Sequence, residues 1–169
     1  MLNQELRVKA GLTYSASSAF TRGTVPGDFA ISSFTQTDNT ARALELALAT
    51  LSRLRADGLD ATTLASARAY LLGQYPLAFE TSADWAGAFG DLDLYDLPES
   101  YIGEFGTELM NTDASVLKSV IGSAYPSPDN LAIVLIGDAA KIRAAAAQLG
   151  PVTELALAAT DFSPARSGR

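Results

Sequence analysis

Hydrophobic positions recur along this chain with two different periods. Leu2 and Leu6 lie four residues apart, on one face of a short helix over residues 2–9, and Gly11 is placed to stop it. Residues 12–22 are rich in Thr, Ser and aromatic side chains, the composition of a strand. Thr24-Val25-Pro26-Gly27 carries turn chemistry. Residues 28–36 read as a second strand, so the two should form an antiparallel pair. From residue 40 the period lengthens. Leu44, Leu48, Leu51 and Leu54 mark a long helix, with Asp38, Asn39 or Thr40 as its cap and Gly58 as its stop. Asp60 can cap the next helix, whose face is Leu64, Ala67, Leu71 and Tyr75, and Pro76 should kink or end it.

Thr81-Ser-Ala-Asp84 resembles a capping box and opens a helix carrying Trp85, Ala88, Phe89 and Leu92. Leu97-Pro98-Glu99 breaks that helix. A short helix over 99–110 and another from the Asp113 cap to about residue 124 should follow. Residues 131–136 are a continuous apolar run bounded by loop signals, the pattern of a central strand. Gly137-Asp138 leads into an Ala-rich helix closed by Gly150-Pro151, and residues 159–169 read as a flexible tail. The fold class is therefore α+β, with residues 1–158 as one domain. Three strands are few for this much helix, and the first pair has a bare edge. The expectation is that the domain lacks its first strands, which would precede Met1.

Composition narrows the chemistry. The chain has 169 residues, is 48% apolar and only 18% charged, and has a net charge of −7. This is the balance of a globular domain with a buried core. It contains no Cys and no His, which removes disulfides, thiolate or imidazole zinc sites, cysteine nucleophiles and a Ser-His-Asp triad. Three Lys in an acidic chain make a poor phosphate binder, so nucleic acid is not an expected partner. No apolar run approaches the roughly 20 residues that span a bilayer. A reactive group, if this protein takes part in catalysis, belongs elsewhere.

Four constellations are worth weighing. Ser115-Val-Leu-Lys118 has the Ser-x-x-Lys pattern of penicillin-recognising enzymes but none of the accompanying elements, which favours an ordinary helix face. Asp91, Asp93 and Asp96 could hold a hard cation, but their spacing is not that of a calcium loop; a solvated acidic face is the default. Asp138, between a strand and a helix, reads as an N-cap rather than part of an anion site. Arg7 and Tyr14 stand out. One is near a helix end and the other early in the next strand, so both could project over one end of the sheet. A guanidinium and a phenol are hydrogen-bond donors suited to a peptide carbonyl or developing oxyanion. The plainer reading gives Arg7 the helix C-terminus and half-buries Tyr14 on the sheet.

Leu2-Asn-Gln-Glu-Leu-Arg7-Val-Lys-Ala-Gly11-Leu-Thr-Tyr14-Ser resembles a segment of the pitrilysin/insulinase zinc metallopeptidases, in the version found in their C-terminal, non-zinc-binding domain. Tyr70-Leu-Leu-Gly73-Gln-Tyr-Pro76-Leu-Ala-Phe-Glu80-Thr81 and Asn130-Leu-Ala-Ile-Val-Leu-Ile-Gly137-Asp138 resemble two later segments of that domain, in the same order. The resemblance implies a two-layer α+β sandwich with an antiparallel-rich sheet and helices on one face, like the metalloenzyme LuxS and mitochondrial processing peptidase. It implies a partner, a homologous domain or subunit bearing His-x-x-Glu-His, and zinc held there rather than here. It assigns Arg7 and Tyr14 to binding of a peptide substrate, with no catalytic or metal residue on this chain and no activity by the chain alone. The alternative is a catalytically dead structural or partner-binding homologue. Location is expected in the bacterial periplasm or cytoplasm, with the periplasm favoured.

Overall fold

The computed structural model describes residues 1–25 and 27–158. Pro26, in the expected turn, and the expected tail over 159–169 lie outside them. The chain opens with a helix whose Gln4–Lys9 segment is π-helical. Strands β1 (Ala16–Phe20) and β2 (Phe29–Ser33) form a two-stranded antiparallel sheet. A 3-10 turn, Thr37–Asn39, then leads into α1 (Thr40–Asp57). Next come α2 (Ala61–Gln74), a second 3-10 turn Tyr75–Phe79, α3 (Ser82–Leu94), α4 (Ser100–Asn111), α5 (Ala114–Ala124) and α6 (Ala139–Ala147). The class is α+β, as the sequence pattern required.

The helix boundaries follow local chemistry. Gly58 takes φ +75° and ends α1. The Asp60 carboxylate accepts the Thr63 N–H at 2.8 Å and starts α2. Pro76 turns the end of α2 into the 3-10 segment. Thr81 and Asp84 form a complete capping box: Asp84 N–H donates to the Thr81 hydroxyl at 3.2 Å and Thr81 N–H to the Asp84 carboxylate at 2.9 Å. Asp113 accepts from the N–H groups of Ser115 and Val116, both at 2.8 Å, and Asp138 from Ala140 at 3.0 Å. Ser115 is thus absorbed by a helix cap, its hydroxyl donating to Asp113 at 2.7 Å.

Chain contacts divide the molecule into two compact units. The first comprises residues 1–17, 32–48 and 132–169, and among its described residues the buried apolar side chains are Leu6, Ala16, Ala43 and Ile142. The second comprises 18–31 and 49–131 and buries Leu51, Leu64, Leu92 and Ile121. Within it, Phe20, Phe29 and Tyr125 meet with ring centroids 4.9–5.0 Å apart, a packing that draws on the strand pair and on the residue after α5. Burial there raises the Tyr125 phenol above its ordinary value. The Arg55 guanidinium donates to the Tyr125 carbonyl.

Two expectations need correction. The strands are shorter than 12–22 and 28–36, because residues 12–15 and 34–36 are committed to a hydroxyl-pinned turn and to the entry of α1. The apolar run 131–136 is not a strand. A strand exists only with a ladder partner, and the described residues place none beside it; Val134 and Ile136 remain 82% and 78% exposed. Among the described residues the sheet therefore has two strands rather than being the larger one expected.

The caps give stability a pH dependence. Asp60 is lowered chiefly by the Thr63 N–H, Asp84 by the Thr81 hydroxyl, and Asp113 by the Val116 N–H. A carboxylate held below its unfolded value stabilises the fold fully above that value, and the contribution disappears as pH falls through the folded pKa. Stability is expected to decline as pH drops below about 3.8, the ordinary aspartate value. The combined Asp60→Asn, Asp84→Asn, Asp113→Asn variant should flatten that acid limb in denaturant titrations run from pH 6 to pH 2.5. An unchanged acid limb would show that the caps do not set it.

Candidate functional site

Arg7 and Tyr14 belong to the first unit and are brought together by three local devices. The first is the π-helix. Leu6 is buried at its inner side and 1% exposed, while Arg7 points outward. The Ala10 N–H bonds the Glu5 carbonyl at 3.1 Å, a five-residue step in place of the α-helical four. The second is Gly11, at φ +63°. There the Gly11 N–H bonds the Arg7 carbonyl at 3.0 Å and the Leu12 N–H bonds the Leu6 carbonyl at 2.8 Å. Each bond is one residue wider than at an ordinary glycine-terminated α-helix.

The third device is a hydroxyl cluster under the turn that carries Tyr14. Thr13 Oγ accepts the Ser15 N–H at 3.1 Å and donates to the Ser15 carbonyl at 2.8 Å. Ser33, at the end of β2, donates to Thr13 Oγ at 3.0 Å. Thr35 donates to the Leu12 carbonyl at 2.7 Å. From the other side, Asn3 Oδ1 accepts the Ala16 N–H at 2.7 Å, tying the start of β1 to the helix before it. Backbone groups of a short turn are thus satisfied without a ladder. None of these polar residues was singled out from the sequence, where Ser and Thr at 12–22 and 28–36 read as strand formers. Their density beside a Gly stop was the available signal.

The result is a stacked pair. The Arg7 guanidinium carbon lies 4.8 Å from the centroid of the Tyr14 ring. Tyr14 is 84% exposed. Among the described residues neither side chain makes a hydrogen bond or ion pair, so the guanidinium N–H groups and the phenol remain free to donate. Lys9 instead pairs with Glu5 at 3.0 Å, which occupies the carboxylate on the same helix. The expected adjacency is present. It differs in detail, because Tyr14 stands in the turn two residues before β1 rather than in the strand. Gly11→Ala is expected to cost about 1 kcal/mol and to loosen this pair, since a Cβ in the left-handed region is strained even in open space. Thermal unfolding would measure the cost; an unchanged Tm would show that the turn tolerates a side chain.

The other constellations do not assemble. Asp91 and Asp93 lie in α3 and Asp96 just after it at φ +52°; among the described residues no three Asp or Glu gather as a metal-holding group. Lys118 packs its Cβ 3.8 Å from where a Cβ would lie on Gly58. Asp138 is an N-cap. Among the described residues no helix is long and apolar enough to cross a membrane.

Comparison with known proteins agrees with the segment around Arg7 and Tyr14. Residues 1–71 match the family described as the peptidase M16 inactive domain. That stretch contains both residues; the later resemblances, at 70–81 and 130–138, lie largely beyond it. The chain is also similar to the crystal structure of a peptidase M16 inactive domain from Pseudomonas fluorescens, with 26% identity and a TM-score of 0.69. The likeness covers 74% of this chain and 30% of that one, so this chain spans about a third of the length of the structure it matches. No curated protein matches.

Proposed function

We propose, for a chain whose first 71 residues match the peptidase M16 inactive-domain family, that it is the substrate-side half of a two-half zinc peptidase. The non-catalytic character of the domain fits its composition, since it has no His to bind zinc. Zinc, with its activated water, belongs in this reading to a homologous His-x-x-Glu-His half, where it supplies the nucleophile. The two halves enclose a peptide, and this half is a two-layer sandwich within that assembly.

The observation that carries the reading is the Arg7–Tyr14 stack, with its donors unengaged. A planar guanidinium lying over a ring is held in direction, so its N–H groups are aimed before substrate arrives. Arg7 and Tyr14 donate to a substrate carbonyl. They bind it more strongly as that oxygen gains negative charge, which accelerates the step rather than only tightening binding. Neither takes or gives up a proton, so the chain alone hydrolyses nothing.

The test is reconstitution. The chain alone is expected to leave a fluorogenic peptide uncut, and addition of its His-x-x-Glu-His partner to produce zinc-dependent cleavage. Equal cleavage by the partner alone would remove this half from the reaction. No cleavage by any combination would favour the structural homologue without peptidase activity.

A further inference from the structure

Tyr14 keeps its place with little packing. Its ring is 84% exposed, so apolar contact contributes little to its direction. Arg7 stacks on the ring but is itself exposed and bounds it from one side. The remaining restraint comes from the residues that flank Tyr14 in the chain.

Thr13 is the centre of that restraint. A hydroxyl has one proton and two lone pairs, and the Thr13 hydroxyl commits all three. It accepts the Ser15 N–H at 3.1 Å and the Ser33 O–H at 3.0 Å, and it donates to the Ser15 carbonyl at 2.8 Å. Both polar backbone groups of Ser15 are therefore tied to residue 13, and Tyr14 is the one residue between them. Ser33 Oγ also lies 3.0 Å from the Ser15 carbonyl, so the end of β2 meets this small loop at two atoms. Outside the loop, Thr35 holds the Leu12 carbonyl at 2.7 Å and Asn3 holds the Ala16 N–H at 2.7 Å. Ser15 and Ser33 are exposed, so water can replace their bonds to Thr13 at little cost in stability. What water cannot replace is the direction those bonds give the loop.

We propose that Thr13 is a positioning residue: its hydroxyl, set from β2 through Ser33, aims the Tyr14 phenol. The consequence for turnover rests on the assignment of Tyr14 to the substrate carbonyl; the aiming of the ring does not. A donor already in direction stabilises an oxygen that gains charge only in the transition state without reorganising at that moment. Thr13 therefore acts on kcat more than on KM, without touching substrate.

The test uses the full chain. Thr13→Val keeps the β-branched shape and removes every bond of the hydroxyl, whereas Thr13→Ser keeps the hydroxyl. In proton NMR the Tyr14 ring current shifts the Arg7 side-chain protons upfield. Thr13→Val should lose most of that shift and Thr13→Ser should keep it, with amide signals outside residues 12–16 and 33–35 unmoved. Ser33→Ala removes only the tie to β2 and should give an intermediate loss; it carries the test if Thr13→Val does not fold. In the proposed two-half peptidase, Thr13→Val should lower kcat about tenfold at nearly constant KM, less than removal of a donor outright. In a Tyr14→Phe background the same substitution should add nothing, because it acts through the phenol. An unchanged Arg7 shift in the folded Thr13→Val chain overturns the inference, whatever the kinetics. So does an equal loss of kcat with and without the Tyr14 hydroxyl, the result of a merely structural role. If the shift collapses while Tyr14→Phe turns over like wild type, Thr13 aims the ring and the role given to Tyr14 is what fails.

Discussion

In the proposed two-half peptidase, Arg7→Ala is expected to lower kcat by about 10²–10³-fold, with zinc content unchanged. The size follows from what the side chain can do in a closed site. Removing one directed donor to a developing oxyanion typically costs about 2.7–4 kcal/mol of transition-state stabilisation. The Arg7 guanidinium makes no competing ion pair among the described residues; the Glu5 carboxylate two residues away pairs with Lys9. Arg7→Lys keeps the charge but loses the planar fork and its stacking over Tyr14, so it should recover only part of the rate. Steady-state kinetics with metal analysis checks this. A rise in KM at constant kcat would make Arg7 a binder of ground-state substrate only. Wild-type kinetics would return it to helix-terminus electrostatics.

Leu6→Ala is the largest expected stability effect, a loss of about 3 kcal/mol. Leu6 is the most deeply buried side chain among the described residues, at 1% exposure, and its carbonyl receives the Leu12 N–H that closes the π-helix. Truncation forfeits the transfer energy of three carbons and leaves a cavity under the helix that aims Arg7. For a chain of this length each kcal/mol moves Tm by about 2–4 °C, so a fall of roughly 6–12 °C is expected. Leu6→Met, of nearly the same volume, should lose less than half as much. Equal Tm values for Leu6→Ala and wild type would mean that the opening helix is not part of the cooperative fold.

What was legible in the sequence was mostly local. Asp60, the Thr81/Asp84 box, Asp113, Asp138 and Gly58 act through their own backbone neighbours, so each could be read within a few residues of itself. The nearness of Arg7 and Tyr14 was legible for the same reason, with a Gly turn bridging a seven-residue interval. The π geometry was not. Leu2 and Leu6 fit an α-helical period, and only the hydrogen bond from Ala10 to Glu5 reveals the extra residue in the turn. The hydroxyl cluster was missed because Ser33 and Thr35 meet Thr13 and Leu12 across some twenty positions, a distance that no local pattern encodes. Residues 131–136 fail differently. Their apolar side chains suit a strand, but a ladder partner is a property of a second segment, and the described residues supply none.

The most direct measurement is a double-mutant cycle on kcat in the proposed two-half peptidase, using Arg7→Ala and Tyr14→Phe and following zinc content throughout. If the stacked pair serves one oxyanion, each single substitution slows turnover, and the double variant is little slower than Arg7→Ala alone, because the two groups act as a unit. Wild-type kcat in all three variants would contradict the assignment of the substrate site to this half.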